Sequence, residues 1–351
     1  MIHGIRDVAE RAGVSKATVS RVLNKAPYVD SKTRQRVLDA ARELNYYRNA
    51  YARRLARGGS DFFGLLISDI ENPVFPELIK SFETAAAEKG FDLLLCTTNY
   101  DEDRTRAAIR KMIENRVRGV AVMTSGVGAE SVGELTAHQV PVVSLDLGPA
   151  SKQVSNIEIN YATGIGQAVD HLLSLGHRRF GFVAGLEPRR SAARYRQAVV
   201  QAFAERGFPS PRLAECDQTT EGGAAAARTL IGEPDFPTAV LCINDLAAVG
   251  VICALKEAGL DVPAKVSVVG CEDIYLARLV HPPLTTVKLD RKSVGKMAFD
   301  VLKQMLRSRQ RKGTESVLDT RLVVRQSTGP APVGSLGDAP SGRTSLRHGQ
   351  P

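Results

Sequence analysis

The amino-acid sequence predicts an α/β chain: an N-terminal three-helix helix-turn-helix domain followed by two doubly wound parallel-sheet subdomains. Three observations carry that expectation. Residues 5–24 hold two short amphipathic patterns that meet at Gly13-Val14. Beyond Phe62, short apolar runs alternate with helical patterns, as buried parallel strands alternate with the helices that cover them. The alternation then restarts at Phe180 with a matching opening, Phe63-Gly64-Leu65-Leu66 answered by Phe180-Gly181-Phe182-Val183.

In the first pattern Ile5, Val8, Ala9 and Ala12 share one face, and in the second Val19, Val22 and Leu23 do, at the three- and four-residue spacings of a helix. Gly13 supplies the positive φ of a tight turn, and Val14 can tuck into the small core. Ser15 is placed to cap the second helix through the amide of Ala17 or Thr18. That helix leaves Lys16, Ala17, Thr18, Ser20 and Arg21 facing outward, donors sized for a groove of DNA. Asp30 or Ser31 caps a third helix with Val37, Ala40, Ala41 and Leu44 as its inner stripe. The unit ends near Tyr46-Tyr47. Residues 48–57 are basic and helix-friendly but about two turns long, hence marginal alone in water and helical only against a partner. Gly58-Gly59-Ser60 closes this linker.

Helix pairs around a glycine turn are common, and the charge distribution decides what this one faces. Of a net charge of +9 over 351 residues, the first 60 residues carry 13 Lys/Arg against 5 Asp/Glu, and the remainder 34 against 33. A basic excess so localised fits a polyanion, most simply nucleic acid. The five cysteines are scattered without metal-ligand spacing, which favours free thiols in a reducing compartment. The N-terminus has no secretory signature, and the longest apolar stretch, 238–255, is broken by Asn244-Asp245. We expect a cytoplasmic, nucleoid-associated protein.

Strands are expected at 62–68, 91–97, 119–123 and 140–145, with helices at 77–89, 104–115 and 129–137. The second half gives strands at 180–184, 213–216, 239–243 and 266–269, with helices at 192–205, 222–231 and 246–258. Crossovers fall at 156–159 and 283–288, and one strand, 316–324, ends the fold. The expected domains are therefore 1–47, a hinge and linker at 48–60, a two-lobed unit at 61–328, and a disordered tail at 329–351. The lobes comprise about 61–158 plus 288–315, and 159–287 plus 316–328. The tail has no leucine heptads that would build a coiled-coil tetramer. Ligands of open parallel sheets bind beyond the carboxyl ends of the strands, so two such sheets face to face make a cleft for one small molecule.

Enzymatic readings find little support. Gly164-Ile-Gly166 has two glycines of a dinucleotide fingerprint and lacks the third, and it fits a helix N-terminus better. There is no P-loop, no nucleophile elbow and no paired metal ligands, and His171 and His177 flank an apolar helix in structural positions. We expect no catalysis, no cofactor and no metal. A free-standing sugar-binding protein would carry a signal peptide and lack the basic N-terminal unit.

With these pieces in place, the chain closely resembles the lactose-repressor family of bacterial transcription regulators from residue 3 to about 328. The stretches that carry the resemblance include Ile5-Arg-Asp-Val-Ala9, Gly13-Val-Ser-Lys-Ala-Thr-Val-Ser-Arg-Val-Leu-Asn24, Asn49-Ala50, Asn72-Pro73, Asn244-Asp245, Val266-Ser-Val-Val-Gly270 and Pro282-Pro-Leu-Thr-Thr286. The resemblance implies a periplasmic-binding-protein-like pair of lobes and a homodimer that binds operator DNA under the control of a small-molecule effector. It places Lys16, Ala17 and Arg21 where bases are read in the major groove. Ser15, Thr18, Ser20, Asn24 and Tyr28 fall where phosphate is touched or the unit is braced. Asn49, Ala52, Arg53 and Leu55 match the hinge helix, with Leu55 at the residue wedged into the minor groove. For the effector it implies Val74, Phe75, Asp146, Arg189, Ser191, Arg194, Gln218, Asn244 and Glu272. Gly4 stands where a Thr usually caps the first helix, Arg48 where the hinge often has Pro, Gln197 where a Gly is common, Gln218 in place of a stacking aromatic, and Glu272 in place of Asp. Carboxylates, an amide and an arginine beside an aromatic suit a sugar, sugar acid or sugar phosphate. No membrane partner is expected.

Overall fold

A computed structural model describes residues 3–24, 26–46, 60–124, 127–186, 190–308 and 312–332, with the side chain of Arg190 excepted. The chain divides into two compact units, Met1–Asp61 and Phe62–Pro351. The hinge positions Asn49, Ala52, Arg53 and Leu55, together with Arg189, lie outside the described residues.

In the first unit, α1 (Ile5–Ala12), α2 (Lys16–Leu23) and α3 (Ser31–Glu43) pack around Val8, Ala9, Ala12, Val19, Val22, Val37 and Ala40. Gly13 takes φ 62°, and its amide caps the end of α1. Ser15 Oγ accepts from the Thr18 amide at 3.1 Å, and Asp30, not Ser31, caps α3 through Thr33 at 2.9 Å. At Gly4, where no side chain can cap, Asp7 reaches back to accept from the Gly4 amide at 2.8 Å. This is the return half of a capping box.

The second unit opens with β1 (Phe62–Ile67), α4 (Phe75–Ala87), β2 (Asp92–Thr97), α5 (Glu102–Glu114), β3 (Val120–Met123), α6 (Ala129–Ala137), β4 (Val142–Leu145) and β5 (Val154–Asn160). The chain continues through α7 (Tyr161–Ser174), β6 (Phe180–Gly185), α8 (Arg190–Ala204), β7 (Arg212–Cys216), α9 (Thr220–Ile231), β8 (Ala239–Cys242), α10 (Asp245–Glu257) and β9 (Ser267–Glu272). A 3-10 turn (Tyr275–Arg278), β10 (Thr285–Lys288), α11 (Arg291–Arg307), β11 (Glu315–Asp319) and β12 (Arg321–Val323) complete it.

The first sheet runs β11-β5-β4-β3-β1-β2 and the second β12-β10-β9-β8-β6-β7, so the two halves repeat one winding order. Every pair is parallel except β10 with β12. Two expectations are corrected here. Residues 156–159 are not a crossover: they belong to β5, and the chain changes lobe at Asn160-Tyr161. The strand expected at 316–324 is two strands. β11 adds in parallel to β5 in the first sheet, then Thr320 turns the chain into β12 against β10 in the second. Thr320 is buried, and its hydroxyl donates to Asn160 O at 2.8 Å while accepting from the Gly164 amide at 3.1 Å.

The start of the expected disordered tail is also ordered. The Gly329 amide donates to Ser267 Oγ and the Ala331 amide to Leu175 O. His177 explains why. It is fully buried, with Nε2 3.0 Å from Gly329 O and Nδ1 3.0 Å from Thr238 Oγ1. A carbonyl only accepts, so Nε2 carries the proton and Nδ1 accepts from Thr238. Nearby, His171 Nε2 lies 2.9 Å from Thr328 Oγ1. Both histidines hold the chain end to the second lobe, the structural role expected of them. All five cysteines are free, with Cys253 exposed and Cys216, Cys242 and Cys271 buried.

Candidate functional site

The first unit presents α2. Lys16, Ala17 and Arg21 are exposed on it, with Thr18 and Ser20 half-buried beside them. Thr18 Oγ1 and Ser15 Oγ share a hydrogen bond at 3.0 Å, so these two hydroxyls fix the start of the helix. Asn24 Nδ2 donates to Ser20 Oγ at 3.4 Å, and Tyr28 is 91% exposed. Part of the basic excess has internal work. Arg36 donates to Ala12 O and to Gly13 O, Arg34 to Ala26 O, and Arg11 pairs with Glu43 at 2.6 Å. Sequence composition counts these arginines with Lys16 and Arg21. The structure separates these braces from Lys16 and Arg21, because α3 places Arg36 over carbonyls at the end of α1 and Arg34 over a carbonyl of the loop after α2.

The second unit holds a cleft between the carboxyl ends of its sheets, about 820 Å³ including the open space above it. Its lining brings together six of the nine expected positions: Val74, Phe75, Asp146, Ser191, Gln218 and Glu272. Val74 and Phe75 start α4, where the Asn72 carboxamide accepts from the Val74 amide at 3.0 Å and turns the chain inward. Asp146 and Gln218 follow the ends of β4 and β7 and Glu272 is the last residue of β9, all with positive φ (56°, 73° and 104°). Backbone in that region is strained for residues with a Cβ, and such strain concentrates where a site must be aimed.

Arg194 and Asn244 do not line the cleft. Arg194 reaches across from α8 to Asp146, to Glu158 at 2.6 Å and to Ile159 O at 3.2 Å, so one lobe grips the other. Burial pushes the Asp146 carboxyl above its usual range, with the Ile159 amide and Arg194 opposing. Asn244 caps α10 by accepting from Ala247 at 2.8 Å and donates to Gln218 O at 2.9 Å. It shapes the loop that carries Gln218.

Among the lining residues that the sequence did not single out for the effector are Arg291, Tyr100 and Tyr161. Arg291 is 6% exposed, donates to Glu272 O and to Asp273 O (2.8 Å), and pairs with Glu77 at 2.8 Å. In sequence it is one cation among the many of residues 288–315, where no helix is expected. Beneath the cleft, Asp245 accepts from Thr286 at 2.6 Å and from the Ile274 amide at 2.8 Å, and burial pushes its carboxyl up to about 7. Glu272 Oε2 is buried without a hydrogen-bond partner. Burial, then repulsion from Asp245, raises this carboxyl to about 8. Among the described residues no acidic, His or Cys group is arranged to hold a metal, and no helix is long and apolar enough to cross a membrane.

A basic helix-turn-helix joined to a two-lobed unit with a central cleft defines a class: DNA-binding proteins with a sensory domain. Comparison with known proteins makes this specific. Residues 4–49 match the model of bacterial regulatory proteins of the lacI family, and residues 169–328 match the periplasmic binding protein-like domain. The chain is 33% identical to the HTH-type transcriptional repressor PurR of Glaesserella parasuis over 92% of its length and 97% of that protein's. It superposes on the Lac repressor dimer bound to operator and the anti-inducer ONPF with a TM-score of 0.83 at 29% identity, covering 94% of this chain and all of that one. A complex of the transcriptional regulator CelR with cellobiose gives 0.70 at 27% identity, covering 93% and 99% of the two chains. The chain belongs to the lacI family of bacterial regulatory proteins and is a DNA-binding transcriptional regulator. Its named relatives are transcription factors and not enzymes.

Proposed function

We propose that this regulator is a repressor that binds a palindromic operator as a homodimer, reading bases with Lys16, Ala17 and Arg21. Ser15, Thr18, Ser20, Asn24 and Tyr28 brace the unit or touch phosphate. Asn49, Ala52, Arg53 and Leu55 form a hinge helix on DNA, and a small effector in the cleft controls that hinge from the bacterial cytoplasm. The observation that carries the reading is the division of labour among the cations. Lys16 and Arg21 stand exposed on a capped helix, while Arg11, Arg34 and Arg36 are committed to the fold. The relatives named repressors, and the Lac repressor seen as an operator-bound dimer, support it.

For the effector we take a sugar, sugar acid or sugar phosphate and, as target, a carbohydrate or related catabolic operon. The polar walls formed by Asp146, Ser191, Gln218 and Glu272, with Arg194 paired to Asp146, suit hydroxyl-rich ligands. The cellobiose complex of CelR supports that class, whereas the name PurR on the relatives does not speak for a sugar.

Arg21→Ala tests the DNA reading. Loss of a bidentate contact to guanine should cost about 1–3 kcal/mol and relax one base per half-site. Selection from a random duplex pool by parent and variant reads this directly. An unchanged motif would remove Arg21 from base reading.

A further inference from the structure

We propose that the effector carries a cationic ammonium group, as an amino sugar or other hydroxylated amine does, and seats it against Glu272. This rests on the reading of the cleft as an effector site and, within it, sets a cationic ligand against the sugar acid and sugar phosphate named above.

The argument starts from which charges in the cleft are already matched. Among the described residues one arginine, Arg291, lines it and a second, Arg194, pairs with its Asp146, and both are committed. Arg194 is held by Asp146, Glu158 and Ile159 O. Arg291 is held by Glu77 and by the carbonyls of Glu272 and Asp273. An anionic ligand therefore has to break a buried ion pair before it gains one, and a broken pair leaves an uncompensated charge behind. The acidic side differs. Glu272 lines the cleft, yet its Oε2 is buried and accepts nothing.

The titratable and charged groups that act on Glu272 are Asp245 from α10, Arg291 from α11, Tyr161 from α7 and its β9 neighbour Cys271. Arg291 offsets its charge only in part, and Asp245 opposes it, so the empty site resolves the conflict by keeping a proton on Glu272. A neutral ligand offers this carboxyl a hydrogen bond and leaves the two buried acids unbalanced. An ammonium group answers both needs. It donates to the free oxygen and supplies the counter-charge that lets Glu272 ionise. Phe75, Tyr100 and Tyr161 in the walls add faces over which a cation is held favourably.

Binding would transfer no heavy atom. The Glu272 carboxyl loses its proton to solvent as the ammonium enters. The full-length protein is screened by thermal shift against matched sets of amine, alcohol and carboxylate. These are glucosamine, glucose and glucuronate, followed by ethanolamine, ethylene glycol and glycolate. Responding ligands go on to calorimetry near pH 7 in two buffers of different ionisation enthalpy. In the responding set the amine should bind at least tenfold more tightly than its alcohol and release a fraction of a proton, up to one. Glu272→Gln should abolish that preference and the proton release, the amine losing more affinity than its alcohol.

If the alcohol or the carboxylate binds most tightly, or the amine binds without proton release and equally well to Glu272→Gln, the cationic ligand class is wrong and the effector cleft stands. If no member of either set binds to a protein that still holds DNA, the effector reading falls and this inference with it.

Discussion

Val37→Ala separates the stability of the two units. Val37 is fully buried on α3, away from the exposed face of α2, so truncation removes core and leaves the reading surface intact. Losing two methyl groups forfeits about 1.5 kcal/mol of transfer free energy. The cavity left beside Val8, Val19 and Val22 raises the loss to about 2–3 kcal/mol, because a core of alanines and valines has few long side chains to collapse into it. A unit of this size has only about 2–7 kcal/mol in all, at 0.05–0.15 kcal/mol per residue. A far-UV circular dichroism melt should show two transitions in the parent. In the variant the lower one falls by roughly 10–20 °C and the upper one stays. Anisotropy with labelled duplex at low salt should lose binding in step with the unfolded fraction. If both transitions moved together, or neither moved, the reasoning from an independent small core would be refuted.

Two further predictions concern the second lobe. A Cβ on Gly250 would lie 1.9 Å from Thr220 O and 2.7 Å from Ala224 N, backbone atoms of α9 that no rotamer change can move. Gly250→Ala should therefore cost about 1–3 kcal/mol despite its better helix propensity, lowering only the upper transition, and a raised melting temperature would contradict this packing. Burial lowers the His177 pKa below its ordinary value. The folded imidazole refuses a proton that the unfolded chain accepts, so His177 contributes stability that is complete above about pH 6.5 and is lost as pH falls below it. Denaturant midpoints taken between pH 7.5 and 5 should fall less steeply for His177→Gln than for the parent, and equal slopes would sink the assignment.

What the sequence revealed and what it hid divide along a physical line. The repeat of the doubly wound halves was legible because buried parallel strands are apolar throughout, and the openings at Phe63 and Phe180 mark equivalent strands, β1 and β6. The caps at Ser15 and Asp30 were legible because capping is local. The break at Thr320 was not, since 316–324 carries no turn signal such as Gly or Pro, and only partners far off in sequence, Asn160 and Gly164, turn the chain there. Arg291 was hidden for the same reason: its burial comes from β9, brought over it by the crossover after β10. Asn244 was found as a polar residue at a strand end, and its side chain is consumed by capping α10 and holding Gln218 O. Type and position were legible there; the partner was not.

The same long-range partners bear on how the lobes can move. The chain passes between them three times, at Asn160-Tyr161, between Lys288 and Arg291, and at Thr320, and Thr320 ties the first and third passages together. A change in the angle between the lobes has to be absorbed at these passages. Arg194 and Arg291 span the opening that such a change would alter, each joining one lobe's carboxylates to carbonyls or helices of the other. Their contacts are unequal. The Arg194 partner Glu158 is half-exposed and gives that pair modest worth in water, whereas its partner Asp146 is buried, as is Arg291 with its two carbonyls. A change of angle therefore loses the Arg194–Glu158 pair at least cost, while the contacts of Arg194 with Asp146 and of Arg291 with Glu77 and the two carbonyls resist it.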